Sequence, residues 1–404
     1  MRGVSRAARA RRHERPAWLI AYVGFGSLAV ALGIGRFAFT PILPLMQATN
    51  GLSITDGAWL ASANYAGYLA GALVATWRPT SARAAIRTGL LAIGVTTFFM
   101  GLDLGVIGWM ALRALAGLAS AYVFISASAW CIQQLGARDR AALSGAAFAG
   151  VGAGIALAGL LTLATTARGG GPSDAWVVLG LVAIVICLSL RGVLDEEGTN
   201  PSRSVLADAR VRWGADAVLL VACYGVFGFA YVIPATFVPA LAREVVPDPL
   251  IFGWSWPLFG MAAAISTLFA SALVARYGAR VVWAASSLLM ALGLTALALS
   301  TTLATIVMTA LCVGGSFMVT TMSALQEARS VGGAGALRLI SAMTAAFAFG
   351  QMVGPLVAGR LVEATGTFAV VLLVASALLA LSSAGLLWLM PQRGLMKAWK
   401  GDTS

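Results

Sequence analysis

Charged side chains are scarce in this sequence: Asp, Glu, Lys and Arg make up 10% of its 404 residues, whereas apolar residues make up 60%. An ordinary soluble domain carries about 25% charged residues. A chain of this composition cannot cover its own surface with polar groups. Apolar segments of roughly twenty residues alternate with short loops that hold nearly all of the arginine, a pattern typical of a helical membrane protein that crosses the bilayer many times.

Residues that carry out catalysis or bind metal ions are also rare. The cysteines, Cys131, Cys187, Cys223 and Cys312, lie in apolar segments without a CxxC pair, so we expect them to be core residues. The only histidine, His13, has no partner ligand, so we expect no metal site. A GxxxxGK[ST] phosphate-binding loop is missing, which excludes ATP-driven pumping by this chain alone. The sequence therefore predicts neither an enzyme nor a cofactor-binding protein.

The net charge of +12 does not point to nucleic acid, because a membrane protein collects basic residues in its cytoplasmic loops. With the amino terminus inside, the predicted cytoplasmic segments hold 22 basic residues, and only Arg168, Arg243 and Arg360 lie on the other side. We therefore expect both termini in the cytoplasm and a location in the bacterial inner membrane. Residues 1–17 are predicted to be a basic arm that is not cleaved.

Twelve apolar segments are predicted to span the bilayer. The longest polar stretch between them, residues 193–215 with the sequence DEEGTNPSRS inside it, is predicted to link bundles formed by residues 18–192 and 216–390. Residues 391–404 form a predicted cytoplasmic tail. The predicted spans lie near residues 18–46, 56–77, 87–104, 106–135, 141–166, 174–191, 216–242, 250–275, 280–300, 302–327, 337–362 and 367–390.

The two halves resemble each other at a shift of about 195 to 200 residues. The first span matches the seventh, where Gly33, Arg36 and Pro44 align with Gly228, Tyr231 and Pro239. The fifth span matches the eleventh, where Gly150, Gly154 and Gly159 align with Gly350, Gly354 and Gly359. This duplication predicts an all-α integral membrane protein with two pseudosymmetric six-helix bundles, and it favours a transporter whose site lies between the repeats. These glycines, with Pro355, are predicted to let helices pack closely.

Several motifs resemble those of the major facilitator superfamily, and the resemblance covers essentially all twelve spans. The stretch from Arg113 through Gly117 to Ala121 is similar to the fourth-helix signature of that family, and ALVARYGAR, with Arg276, Gly278 and Arg280, is similar to its loop motif. The segments GIGRFAFTPILP and SANYAGYLAGAL resemble its YbfB-like branch. The resemblance implies the major facilitator fold, alternating access and a gating role for the loop motif, although Ala275 stands where an Asp is usual.

Arg36 is the residue that most needs an explanation. It lies ~27 Å along its helix from Trp18, inside the bilayer, where an arginine costs at least ~2.5 kcal/mol. All fifteen acidic residues fall in loops or near predicted span ends, so no internal counter-ion is visible. An anionic substrate could supply the missing charge. The spacing from Arg36 to Pro44 also resembles that of the substrate-binding arginine in the organophosphate antiporters of the superfamily.

Other polar side chains complete the predicted substrate site. Its members are Arg36, Arg113, Tyr231, Asn64, Tyr65, Tyr68 and Gln351. Arg113 has a second interpretation, in which it bonds backbone carbonyls of neighbouring helices. Arg36 could likewise bond carbonyls freed by Pro41 or Pro44, or act in gating. Trp254 and Trp256 could also complete the cavity, but near a span start they fit the aromatic belt at the lipid headgroups better than Tyr231 does.

Three functions remain open at this point. The favoured one is a monomeric transporter that moves a small organic anion or metabolite across the membrane. The second is proton-coupled efflux of neutral or cationic compounds, which usually needs a membrane-embedded acid; only Asp103 and Glu327 come near. The third is a receptor or lipid-handling protein on the same scaffold that transports nothing.

Overall fold

The computed structural model describes residues 16–77, 81–140, 143–194, 213–246 and 248–389, and within these ranges it is all helical. Most of the basic arm, most of the linker and all of the tail lie outside the described residues, and Ala17, predicted as the end of the arm, begins the first helix. The first span consists of Ala17–Leu28, Ala29–Ile34 and Phe39–Asn50. The spans that follow it are Ile54–Trp77, Ala82–Phe99, Gly105–Gly136, Leu143–Ala167, Pro172–Leu194, Ala215–Val245, Ser255–Tyr277, Ala279–Leu299, Leu303–Gly332, Ala336–Thr365 and Ala369–Trp388.

The outer surface of this helix bundle is apolar. Large hydrophobic side chains are strongly exposed along the spans, among them Ile107, Val185, Leu292 and Leu381. In the described residues, eleven helices are long and apolar enough to cross a membrane. The second span, Ile54–Trp77, has a matching length of 24 residues but is not among them. This span carries Asn64, whose side chain is buried in the bundle. The span is therefore more polar because a polar residue faces the interior of the protein.

The first span is not the continuous helix that its hydropathy predicts. Regular α-helix stops at Leu28 and a π-helical segment follows, in which the amide of Gly35 bonds the carbonyl of Val30. After a turn, α-helix resumes at Phe39. Pro41 has no N–H and its ring would collide with the carbonyl four residues before it, so a regular helix cannot run through this point. Segments of π-helix are frequent at functional sites, and this one ends at Ile34, two residues before Arg36.

The third span begins five residues before the predicted position. It runs from Ala82 to Phe99 rather than near 87–104, because the side chain of Ser81 accepts a hydrogen bond from the amide of Ala84 and caps the helix. The apolar pattern predicts a start at Arg87, and it misses a first turn that contains Arg83. Both arginines therefore lie within the helix, near its beginning.

The repeated glycines make equivalent contacts in the two halves. A Cβ atom at Gly150 or Gly154 would collide with the backbone of the first span at Phe25 and Ala29. In the second half, Gly350 and Gly354 lie against Gly225 and Val232 of the seventh span. Small residues at such positions let two membrane helices approach closely. The contact between the first and fifth spans thus recurs between the seventh and eleventh.

Two further glycines lie where the halves meet. A Cβ at Gly159 would lie 2.6 Å from Cδ of Pro257 in the eighth span, and one at Gly359 would lie 3.0 Å from Cβ of Ala58 in the second. The fifth span therefore packs on the eighth, and the eleventh on the second. Pro355 lies one turn before Gly359, inside the eleventh span.

Hydrogen bonds also join the halves on the side of the bundle that contains Gly51, which we call the Gly51 end. The hydroxyl of Ser62 donates to the carbonyl of Met352 over 2.9 Å, and the hydroxyl of Thr55 donates to the carboxylate of Glu363 over 3.1 Å. Arg243 donates to the carbonyl of Pro44 over 2.8 Å. Toward this end, side chains of one half are therefore tied to the other half.

Candidate functional site

Two contacts place Arg36 at the axis that relates the two halves. Its guanidinium Nη2 donates to the hydroxyl of Tyr231 over 3.3 Å, and one turn later the hydroxyl of Thr40 donates to the carbonyl of Ala235 over 2.7 Å. Each pair is separated by 195 residues, which is the offset of the repeat. A residue that touches its own pseudosymmetric equivalent must lie at the axis between the repeats. The centre of the molecule is therefore at Arg36 and Tyr231.

The guanidinium of Arg36 lies among aromatic rings. Its Cζ is 4.7 Å from the ring centre of Tyr65, 4.7 Å from that of Tyr68 and 5.3 Å from that of Phe37. Ring faces attract a cation through their quadrupole, so they compensate part of the cost of burying this charge. The residue is only 4% exposed, and its Nε finds no hydrogen-bond acceptor among the described residues.

Gln351 extends this centre into the eleventh span. Its side-chain amide donates to the hydroxyl of Tyr231, so Tyr231 lies between Gln351 and Arg36. Both Tyr231 and Gln351 are fully buried. Three spans, the first, the seventh and the eleventh, thus contribute to one connected polar group inside the bundle.

Arg113 has a different environment from Arg36. Its Nη1 donates to the carbonyl of Gly35 over 3.2 Å and its Nη2 to the carbonyl of Arg36 over 2.9 Å. Asn64 donates to the carbonyls of Gly35 and Arg113 over 3.2 and 2.8 Å. The break in the first span leaves carbonyls without their helical donors, and these two side chains supply replacements. Arg113 therefore supports the backbone that carries Arg36.

Aromatic side chains that the sequence does not single out line the same centre. The ring of Tyr231 stacks on Phe317 at 5.3 Å and on Phe347 at 5.6 Å, nearly parallel in both cases. Trp256 is fully buried and packs on Phe37, so its assignment to the headgroup belt is wrong; Trp254, in contrast, is 46% exposed. In the sequence, a phenylalanine that lines a site looks the same as one in the hydrophobic core, because both lie in apolar spans.

Carboxylates are distant from the two buried arginines. Within the described ranges, no Asp or Glu oxygen lies within 4 Å of Arg36 or Arg113. Asp103 is exposed in the turn after the third span. Glu327 lies near the end of the tenth span, where it pairs with Arg280. In the same part of the chain, no cluster of three or more His, Cys, Asp or Glu side chains could hold a metal ion.

The loop motif after the eighth span organises the helix ends of the second half. Gly278 has φ of 84°, a conformation that favours glycine, and it joins the eighth span directly to the ninth. Arg280 donates to Glu327 over 2.8 Å, to Asp216 over 3.1 Å and to the carbonyl of Leu389 over 2.8 Å. It thus connects the ninth, tenth, seventh and twelfth spans. Arg276 is exposed and lies over the ring of Tyr277.

Twelve helical spans in two related halves, with a polar centre at the axis between them, define the fold of the major facilitator superfamily. The family described as "Uncharacterised MFS-type transporter YbfB" matches residues 28–387. The chain belongs to this family and is a multi-pass membrane transporter. A search of curated protein sequences finds no match.

Among solved structures, the chain is similar to the nucleoside transporter NupG, crystallised in a mutant form. The TM-score is 0.72 at 14% sequence identity, and the match covers 92% of this chain and 100% of that one. Similarity at this level of identity concerns the fold alone. It agrees with the twelve-helix architecture that the duplication predicts.

Proposed function

We propose that this transporter carries a small organic anion across the bacterial inner membrane by alternating access, as a monomer, and that Arg36 binds the negative group. One observation carries the proposal: among the described residues the guanidinium of Arg36 donates to a side chain of the other half, Tyr231, whereas Arg113 donates to two backbone carbonyls. An arginine that only repairs a broken helix would resemble Arg113. Arg36 instead directs its guanidinium to the axis where a substrate would cross.

The charge balance of the site supports the same proposal. A membrane-embedded arginine without a carboxylate partner is compensated by ring faces and tyrosine hydroxyls, which are weaker partners than an anion. A carboxylate accepts paired N–H donors and restores neutrality. Binding an anion therefore improves the electrostatics of the site, whereas binding a cation beside Arg36 makes them worse.

The orientation follows from the positive-inside rule. Both termini are then cytoplasmic and the Gly51 end faces outward. The bonds from Ser62 to Met352 and from Arg243 to Pro44 close that side in the conformation described. Transport requires these bonds to break when the site opens outward. At the opposite side, the contacts of Arg280 tie the helix ends of one half together so that the half moves as a unit.

The other functions find less support. Proton-coupled efflux needs a titratable acid near the site, and Glu327 is engaged with Arg280 while Asp103 is exposed. A nucleoside is the substrate named for the neighbour NupG, and an uncharged nucleoside would leave the charge of Arg36 uncompensated. A receptor that transports nothing is distinguished by assay, since it would move no solute under any gradient.

A thermal-shift series on purified protein tests the assignment of Arg36. Acetate, benzoate, phosphate and uncharged uridine are added to the wild type, to Arg36→Leu and to Arg168→Leu. Arg168 is a suitable control because it is exposed at a helix end and bonds only its own turn at Ala164. We expect at least one anion to raise the unfolding temperature of the wild type and of Arg168→Leu but not that of Arg36→Leu.

Two outcomes contradict the proposal. In the first, anions stabilise Arg36→Leu as much as the wild type, so the binding site lies elsewhere. In the second, uridine alone stabilises the wild type, and Arg36→Leu responds equally. The substrate would then be neutral and Arg36 would have a structural role.

A further inference from the structure

The hydrogen-bond donors around Tyr231 outnumber the acceptors. Arg36, Tyr231 and Gln351 together carry many N–H and O–H groups but only two oxygen atoms. As placed, both neighbours donate to the Tyr231 oxygen, which leaves the Nε of Arg36 without an acceptor and the side-chain oxygen of Gln351 without a donor. If the amide of Gln351 is turned over, Tyr231 donates to that oxygen and the amide hydrogens lose their acceptor. The surplus of donors is the same in either case.

The rings that surround this donor group are arranged in parallel. Phe347 lies parallel to Tyr231 with an interplanar angle of 5°, and Phe317 lies parallel to Tyr231 with an angle of 10°. Phe347 also stacks on Tyr224 at 4.8 Å. This stack shows that flat rings pack face to face in this part of the bundle. A saturated, puckered body would contact the same faces over a smaller area.

Phe347 is the most exposed of the phenylalanine rings that stack on Tyr231. Phe347 is 8% exposed, whereas Tyr231, Gln351 and Trp256 are fully buried. Phe347 contacts Tyr231, and Tyr231 contacts Arg36, so the ring and the guanidinium are neighbours of the same tyrosine. A ligand that contacts both needs a flat ring with a negative group attached to it.

We propose that the transported anion is aromatic, with its negative group bound by Arg36 and its ring stacked on Phe347. This inference rests on the proposed function, because it specifies the class of anion that the same site binds. The aromatic faces select the flat body and the surplus donors select the charge. Gln351 then acts as a positioning residue, because it orients the Tyr231 hydroxyl that Arg36 contacts.

Two carboxylates that differ in flatness provide the test. Benzoate and cyclohexanecarboxylate have the same charge and number of carbons, but only benzoate is planar. Their affinities are measured by calorimetry for the wild type, Phe347→Leu and Phe349→Leu. Phe349 is a matched control because it is 58% exposed on the surface of the same span. We expect the wild type and Phe349→Leu to prefer benzoate by roughly 2- to 10-fold, and Phe347→Leu to lose the preference.

The ratio of the two affinities separates stacking from general damage. A substitution that merely loosens the site weakens both carboxylates together and leaves the ratio unchanged, which would overturn the role of Phe347. Equal affinities in the wild type, both lost in Arg36→Leu, would overturn the aromatic inference while the anion proposal stands. Binding of neither carboxylate, or binding unaffected by Arg36→Leu, would overturn both.

Discussion

Two buried arginines of the first half have different roles because their donors have different partners. Arg113 donates to the carbonyls of Gly35 and Arg36, which the break in the first span leaves free. Arg36 reaches the hydroxyl of Tyr231 and the faces of two tyrosines. The sequence shows two intramembrane arginines of equal chemical type. Only the hydrogen-bond distances in the structure distinguish Arg113, which donates to the backbone, from Arg36, which faces the axis.

Replacement of Arg113 by leucine should therefore lower stability more than replacement of an exposed arginine. The substitution leaves the carbonyls of Gly35 and Arg36 with fewer donors inside the membrane. We expect a loss of about 2 to 3 kcal/mol in the free energy of unfolding, measured by SDS titration in mixed micelles. Arg168→Leu, at an exposed helix end, should change it little. Equal values for the two variants would contradict a structural role for Arg113.

At the scale of single helices, glycine positions decide how closely spans approach. Gly154 packs on the backbone of Ala29 in the π-helical segment, so the fifth span supports the deformed part of the first. The equivalent contact in the other half joins Gly354 to the seventh span, which has no such break. The same packing thus supports a regular helix in the second half, and in the first half it supports the π-helical segment that precedes Arg36.

A methyl group at Gly154 should disturb this contact. Its Cβ would overlap the carbonyl of Ala29, and backbone cannot move aside as a flexible side chain can. We expect Gly154→Ala to destabilise the protein by about 1 to 3 kcal/mol. Gly136→Ala is the control, because none of the residues that the structure describes lies within 4 Å of the added methyl group. A Gly154→Ala protein with the unfolding midpoint of the control would show that this close approach is not needed.

The sequence predicts the elements better than it predicts their irregularities. Apolar periodicity gives twelve spans, because burial in a bilayer demands long apolar helices. It misses the break before Arg36, since the residues from Ala29 to Ile34 are as apolar as a regular helix requires. It also misses Phe347 as a neighbour of the site, because packing between distant spans leaves no mark on local spacing. Arg36 and Tyr231 are paired in the sequence only through the repeat.

For the whole molecule, the repeat explains where the halves touch. Gly159 of the first half packs on Pro257 of the second, and Gly359 of the second half packs on Ala58 of the first. The two contacts are of the same kind. With Arg36 and Tyr231 on the axis, the proposed alternating access requires one half to move against the other so that access to the site changes while the site stays in place. The helix pairs at the Gly51 end are then the contacts that must separate.

A disulfide across these contacts should stop transport. A Cβ at Gly359 would lie 3.0 Å from that of Ala58, close to the separation that a disulfide needs. We expect Ala58→Cys with Gly359→Cys, in a background without the four native cysteines, to lose transport on oxidation and to regain it on reduction. Each single cysteine is the control. Transport that continues after complete oxidation would contradict an opening at this end.

Counterflow into proteoliposomes tests the anion role of Arg36 most directly. Vesicles loaded with unlabelled benzoate are placed in labelled benzoate, and uptake is compared among wild type, Arg36→Leu and Arg168→Leu at equal protein content. If Arg36 binds the anion, we expect transient accumulation of label with the wild type and Arg168→Leu. With Arg36→Leu we expect uptake at the level of vesicles without protein. Accumulation by Arg36→Leu at the wild-type rate would contradict it.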